Sequence, residues 1–360
     1  MTIEHRLAPT YAQARAELSA AAVRAGAGVT AFPHPSSGRE GEELAIDVVT
    51  VGPDDADSVV VIVSGTHGVE GYAGSAIQRW WLDERAAALP AGVRVVIVHA
   101  LNPVGFSWVR RVNEDNVDLN RNFVDWSQPP PANDGYGEIA DLLVPADWSE
   151  ESQATTTDAL MEVAATVGMQ RFQEMVTSGQ YAHPTGIFHG GSGPVWSHRW
   201  VTERLPEIVG AARRLCILDL HTGLGPWGHG ELISVDDIGS DAYRRGTAWW
   251  GAVQSTSGGE SVSADLDGDW LSGIPALIPD AEATTIAIEY GTVDVITVLQ
   301  SLRADAWLHA HGDSSSDAAA AAIRAQVRAA FVDDDPAWLA TIIERFDDVS
   351  GAAISALAAG

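Results

Sequence analysis

Apolar positions along this chain follow two patterns. Short unbroken runs occupy residues 58–64, 93–100 and 215–220, as expected of strands buried on both faces of a parallel sheet. Residues 44–51 alternate and are turned by Gly52-Pro53-Asp54-Asp55, while residues 284–288 form a further apolar strand. Between these runs the apolar spacing is helical. Thr10-Tyr11-Ala12-Gln13 has the form of a capping box that opens a helix over about 10–26. Ile77, Trp80 and Trp81 mark a helix over 73–88; Leu160, Val163, Ala164, Val167, Phe172, Met175 and Val176 mark one over 156–177. Further helices are predicted at 197–213, 240–254 and 317–331, and one begins at Asp335-Pro336.

Strand, helix and strand over residues 58–100 make a βαβ unit. The expected fold is a three-layer αβα arrangement, with a mixed, mostly parallel twisted sheet and helices on both faces. A single domain is expected over 1–360: a core over 44–300, an irregular insertion over 124–195 and C-terminal helices over 317–349. Residues 350–360 are expected to fray.

Composition narrows the partners. The 360 residues are 46% hydrophobic and 19% charged, enough for a large core. The net charge is −28 and no stretch is rich in Lys or Arg, which sets repulsion against nucleic acid and anionic membrane surfaces. Cys216 is the single cysteine and lies in an apolar run, so it reads as a buried, inert thiol in a reducing compartment. No secretory signal opens the chain, and no apolar run reaches the roughly eighteen residues of a bilayer span. A cytoplasmic protein is expected.

The strand ends carry the chemistry, and open α/β sheets bind ligands beyond their strands' carboxyl ends. The first buried run is followed by His67 and Glu70 in a Gly-rich turn; a metal site and an ordinary surface turn both fit this pair alone. The second leads to a loop, residues 101–123, dense in Asn and Arg. Such side chains suit bidentate recognition of a carboxylate, with a charged loop face as the alternative. The third and fourth runs end in His221 and Glu289. Two histidines and one carboxylate make a catalytic zinc set that leaves a position for water, and a further carboxylate serves as general base. The glycine-rich residues 186–193 read as a flexible wall over the site, without the strand-to-helix context of a phosphate loop. No Gly-x-Ser-x-Gly elbow points to a serine hydrolase.

Val117-Asp118-Leu119-Asn120-Arg121-Asn122-Phe123 resembles the signature of the zinc carboxypeptidase superfamily, and Asn102-Pro103-Val104-Gly105 is similar to its Asn-Pro-x-Gly. Leu218-Asp219-Leu220-His221-Thr222 looks like the succinylglutamate desuccinylase and aspartoacylase branch. The whole is most similar to a bacterial branch labelled as a domain of unknown function. The resemblance covers residues 58–295 and implies roles residue by residue. It makes His67, Glu70 and His221 the ligands of one zinc ion, and Glu289 the carboxylate that activates water. It makes Arg111 the stabiliser of the oxyanion, and Asn120 with Arg121 the holders of a substrate carboxylate. Asp118 becomes the acid that orients the first zinc histidine. The chain departs from carboxypeptidases in having Gly68 and Val69 where Arg is common, and Tyr243 as the one Tyr between His221 and Glu289.

The implied function is zinc-dependent hydrolysis of an amide bond in a small peptide or N-acyl amino acid with a free carboxylate. The alternatives are an N-acyl amino acid deacylase rather than a carboxypeptidase, and a carboxylate-binding protein that does no hydrolysis. Asp219 shares a strand face with His221 and reads either as its partner or as a buried hydrogen-bonded acid. His183, His189 and His229 read as solvated or structural, and His309 and His311 as surface residues.

Overall fold

The computed structural model describes residues 7–256, 267–314 and 318–359. Helix α1 (Tyr11–Arg24) precedes strands β1 (Val29–Ser37), β2 (Glu43–Val51) and β3 (Ser58–Ser64). Helix α2 (Gly71–Glu84) connects β3 to β4 (Val93–His99), which runs into the short α3 (Pro103–Trp108). Helices α4 (Asp134–Leu143), α5 (Glu150–Val167) and α6 (Met169–Thr177) lie in the insertion, before α7 (Trp196–Val209). Then follow β5 (Arg214–Trp227), β6 (Gly230–Ser234), α8 (Asp241–Trp250), β7 (Gln254–Ser255), α9 (Ile274–Leu277) and β8 (Glu282–Gly291). Helices α10 (Val295–Ala310), α11 (Ala318–Phe331) and α12 (Pro336–Ala359) complete the order.

Among the described residues the strands form one sheet of eight in the order β1-β2-β4-β3-β5-β8-β6-β7. Its centre, β4-β3-β5-β8, is parallel; β1 with β2, β2 with β4 and β6 with β8 pair antiparallel, and β7 joins β6 in parallel. Every residue of β3 is buried. Val60 and Ile62 enter the larger core with α1, α2, α11 and α12, and Val59, Val61 and Val63 pack under α7 and α9. This is the expected mixed, mostly parallel sheet with helices on both faces.

Several boundaries differ from the sequence reading, each for a local reason. Strand β1 was missed because Pro33 and Pro35 interrupt it, which an edge strand tolerates. The expected helix over 156–177 is two helices, α5 and α6. The Ser149 hydroxyl caps the first at Ser152 N, and Gly168, at φ +89°, separates them. Pro103–Trp108 is helix rather than loop, since the side chain of its cap, Asn102, accepts from Gly105 N and Pro103 takes the first turn. Gly251, at φ +77°, stops α8 at Trp250 rather than at residue 254. Residue 317 of the expected 317–331 helix lies outside the described residues. The C-terminus does not fray before Ala359: Val349, Ala353 and Leu357 are buried, and the Ser58 hydroxyl donates to Leu357 O at 3.2 Å.

One polar residue of α2 fixes the strand ends that bear the site. Gln78 is fully buried; its Nε2 donates to Ile62 O and Val98 O at 3.0 and 2.9 Å, and its Oε1 accepts from the Ser64 hydroxyl at 2.9 Å. The two carbonyls lie at the carboxyl ends of β3 and β4. Gln78→Leu would leave polar groups buried without partners, at a cost of about 1–3 kcal/mol. Denaturant unfolding checks this; an unchanged midpoint would mean that Gln78 does not brace the strand ends.

Candidate metal centre and active site

His67 and Glu70 sit on a single helical turn, Gly68–Glu70, between β3 and α2. The turn lies against α3, and a Cβ on Gly68 would meet Gly105 C at 2.1 Å and Phe106 N at 2.3 Å. Glycine is therefore required between the two side chains. Gly68 N and Val69 N donate to Arg111 O and Arg110 O at 3.1 and 2.8 Å, tying the turn to the Asn/Arg loop.

His67, Glu70 and His221 are all buried, and their ligand atoms lie within 4.8 Å of one another. His67 Nδ1 is 3.0 Å from Glu70 Oε1, His221 Nδ1 is 2.9 Å from Glu70 Oε2, and the two Nδ1 atoms are 3.2 Å apart. Donors placed ~2.0–2.1 Å from a tetrahedral zinc stand about 3.3 Å from each other. Two imidazole nitrogens this close share either a proton or a cation, so the set fits zinc.

The outer nitrogens are held by carboxylates. Asp118 Oδ1 lies 3.2 Å from His67 Nε2, and Asp219 Oδ2 lies 2.8 Å from His221 Nε2. Each carboxylate accepts the Nε2 proton and leaves the Nδ1 lone pair facing inward. Asp219 is thus the partner of His221. Its Oδ1 accepts from the Thr66 hydroxyl at 2.7 Å and its Oδ2 from Trp270 Nε1 at 2.7 Å.

Charge is concentrated here. Burial alone raises the Glu70 carboxyl, but the His67 and His221 imidazoles overcome it and hold it down to about 2. Burial alone lowers His221, yet Asp219 and Glu70 lift it well above the usual imidazole range. A metal cation would take the place of that proton.

Glu289 pairs in register with His221 across β5 and β8. Its carboxyl is raised to about 7, first by burial and then by the charge of Glu70. Glu289 Oε1 accepts from Leu224 N at 2.9 Å. Arg111 reaches the centre from the other side, with Nε 2.9 Å from Asp118 Oδ2 and Nη1 3.4 Å from Glu70 Oε1.

Both residues of the expected carboxylate clamp, Asn120 and Arg121, are buried. Arg121 is 2% exposed. Its Nε and Nη2 donate to Thr177 O at 3.1 and 2.5 Å, and its Nη1 donates to Asn120 O at 3.0 Å. Asn120 Oδ1 is buried without a partner. Most other planar groups of the loop also hold backbone or one another. Arg110 pairs with Asp305 at 3.0 Å, and the Asn113 side chain accepts from Asp115 N and Val117 N. Asn116 donates to Pro184 O and Gly186 O, and Asn122 to Gly190 O and Gly193 O. Of these, Asn116 and Asn122 hold the wall over 186–193, an irregular backbone that has few partners of its own.

Among the other histidines, His189 is buried in that wall, His183 is half-buried beside Tyr136, and His229 and His311 are exposed. His309 is half-buried, edge-on to Trp108. The Tyr243 hydroxyl donates to Val253 O at 2.9 Å from within α8. Cys216 is buried, which raises its thiol pKa and keeps it unreactive. Trp270 and Thr66, which hold Asp219, had no motif to reveal them.

Among solved structures, bovine thrombin-activatable fibrinolysis inhibitor, in complex with a tick carboxypeptidase inhibitor, matches at a TM-score of 0.51 and 11% identity over 98% of both chains. Carboxypeptidase A from Helicoverpa armigera matches at 0.47 and 14% identity, covering 89% of this chain and 73% of that one. An aspartoacylase family protein from Mesorhizobium loti matches at 0.38 and 18% identity, covering 74% and 61%. Only the first of these three superpositions is close enough to bear on the fold, which is that of the zinc carboxypeptidase-like α/β proteins. Among curated protein sequences none matches. The chain belongs to the family described as protein of unknown function (DUF2817), whose model matches residues 7–345.

Zinc titration of metal-free protein should saturate at about one ion per chain and be lost in His67→Ala and His221→Ala. Asp219→Asn should keep the stoichiometry and weaken affinity by about 10–100-fold. Unaltered affinity in that variant would exclude Asp219 as the group that orients His221.

Proposed function

We propose that this chain is a single catalytic domain, a zinc-dependent hydrolase of amide bonds in small peptides or N-acyl amino acids. The observation that carries the proposal is the convergence of His67, Glu70 and His221, with Glu289 paired to His221 on the adjacent strand. His67 Nδ1, the Glu70 carboxylate and His221 Nδ1 would hold one zinc ion. Bound there, zinc supplies Lewis acidity toward the scissile carbonyl and toward water.

The remaining steps belong to the chain. Glu289 Oε1 is held by Leu224 N, which leaves Oε2 to take a proton from water. The water oxygen forms its bond to the carbonyl carbon. As the C–N bond breaks, the Glu289 carboxyl returns that proton to the leaving nitrogen. Burial raises this carboxyl, which favours its holding the proton between the two transfers. Arg111, fixed through Nε by Asp118, directs its remaining donors to the carbonyl oxygen as negative charge develops there.

A second reading, a carboxylate-binding protein without turnover, has less support. Its clamp needs Arg121 at the cleft, and that guanidinium is buried. Peptides and N-acyl amino acids carry a free carboxylate, but the proposal rests on their amide bond.

A panel of C-terminal peptides and N-acyl amino acids tests turnover. On any substrate found, Glu289→Gln should lose on the order of 10²–10⁴-fold in kcat with zinc content unchanged. Turnover close to that of the wild type would remove Glu289 from the mechanism.

A further inference from the structure

Arg121 is enclosed by three separate segments. A Cβ on Gly179 would lie 2.6 Å from Arg121 Cδ, and a Cβ on Gly190 or on Gly268 would lie 2.7 Å from Arg121 O. The stem and the backbone of Arg121 are therefore tightly packed on these sides. The Phe188 ring covers the guanidinium, 5.3 Å from Cζ.

The hydrogen bonds of Arg121 all run to the insertion or to its own loop. Thr177 is the last residue of α6, and its carbonyl is one of those that a helix end leaves without an intrahelical partner. A guanidinium that donates to it twice both satisfies it and complements the negative end of the helix. Arg121 O in turn accepts from the Tyr181 hydroxyl at 2.7 Å. From Tyr181 the chain continues into the wall, where Gln180 N donates to Phe188 O at 3.2 Å and Gly190 N to Gln180 O at 2.8 Å. The wall then touches the centre itself. His189 O accepts from Asp118 N at 2.8 Å, and the Phe188 ring lies 5.4 Å from Arg111 Cζ.

We infer that Arg121 is a positioning residue: it fastens residues 177–193 over the site, and it does not read a carboxylate on the substrate. It acts through Phe188 and His189 on Arg111 and Asp118. This goes beyond the proposed hydrolysis and depends on it only where kinetics are measured.

The test uses the full chain with zinc bound, and compares Arg121→Gln, Arg121→Lys and Gly179→Ala with the wild type. Hydrogen–deuterium exchange over 177–193 should be about ten- to a hundredfold faster in Arg121→Gln, the effect of losing a charged hydrogen bond. Arg121→Lys, which keeps a cationic donor for Thr177 O, should recover part of the protection. Gly179→Ala, which crowds the guanidinium and also strains a backbone at φ +101°, should loosen the same segment. With a free-acid substrate and its amidated form, Arg121→Gln should lower kcat for both by the same factor and leave their ratio of KM values unchanged. Exchange that stays at the wild-type rate in Arg121→Gln and Gly179→Ala would overturn the inference. So would a loss confined to the KM of the free acid. Should the wild type turn over nothing in the panel, the hydrolase reading fails, and exchange still decides the role of Arg121.

Discussion

Two buried carboxylates, Asp118 and Asp219, determine which nitrogen His67 and His221 each turn inward. Both are fully enclosed, and a carboxylate in such a place is stable only when its oxygens are met by donors or cations. Asp219 has Thr66, His221 and Trp270; Asp118 has His67, Arg111 and the backbone of Asn120. Those partners come from the ends of β3 and β5, the turn after β3, the Asn/Arg loop and the segment before α9. The parallel centre of the sheet is what brings these segments to one edge. Without it the two Nδ1 atoms would have no reason to face each other in a dry interior.

The insertion over 124–195 follows from the same need for partners. Its wall is irregular, so its carbonyls depend on side chains, and the loop after β4 provides them through Asn116, Arg121 and Asn122. A loop rich in planar donors looks like a surface made to grip a ligand. In this chain much of that capacity grips the chain itself, and Arg111 is the guanidinium of that loop that reaches Glu70.

The sheet and the donor set were legible because each depends on short-range signals. Buried strands are unbroken apolar runs, and the residues just past the ends of those runs are the ones that meet, although β5 and β8 themselves continue to Trp227 and Gly291. His67, Glu70, His221 and Glu289 could be read this way, and so could Asp219 through its two-residue spacing from His221. Trp270 could not: it lies 51 residues from the Asp219 that it supports, and nothing local to it signals the contact. The closing of Arg121 was hidden for a similar reason, since Thr177 lies 56 residues away. The split of α5 from α6 turned on the backbone angle of one glycine inside a pattern that otherwise reads as continuous helix.

Anomalous diffraction at the zinc absorption edge, from crystals of the full chain grown with zinc, tests the central claim most directly. The account predicts one strong peak bonded to His67 Nδ1, His221 Nδ1 and the Glu70 carboxylate, with both Nε2 atoms still on Asp118 and Asp219. A peak elsewhere, no peak, or histidines turned to bind through Nε2 would contradict it.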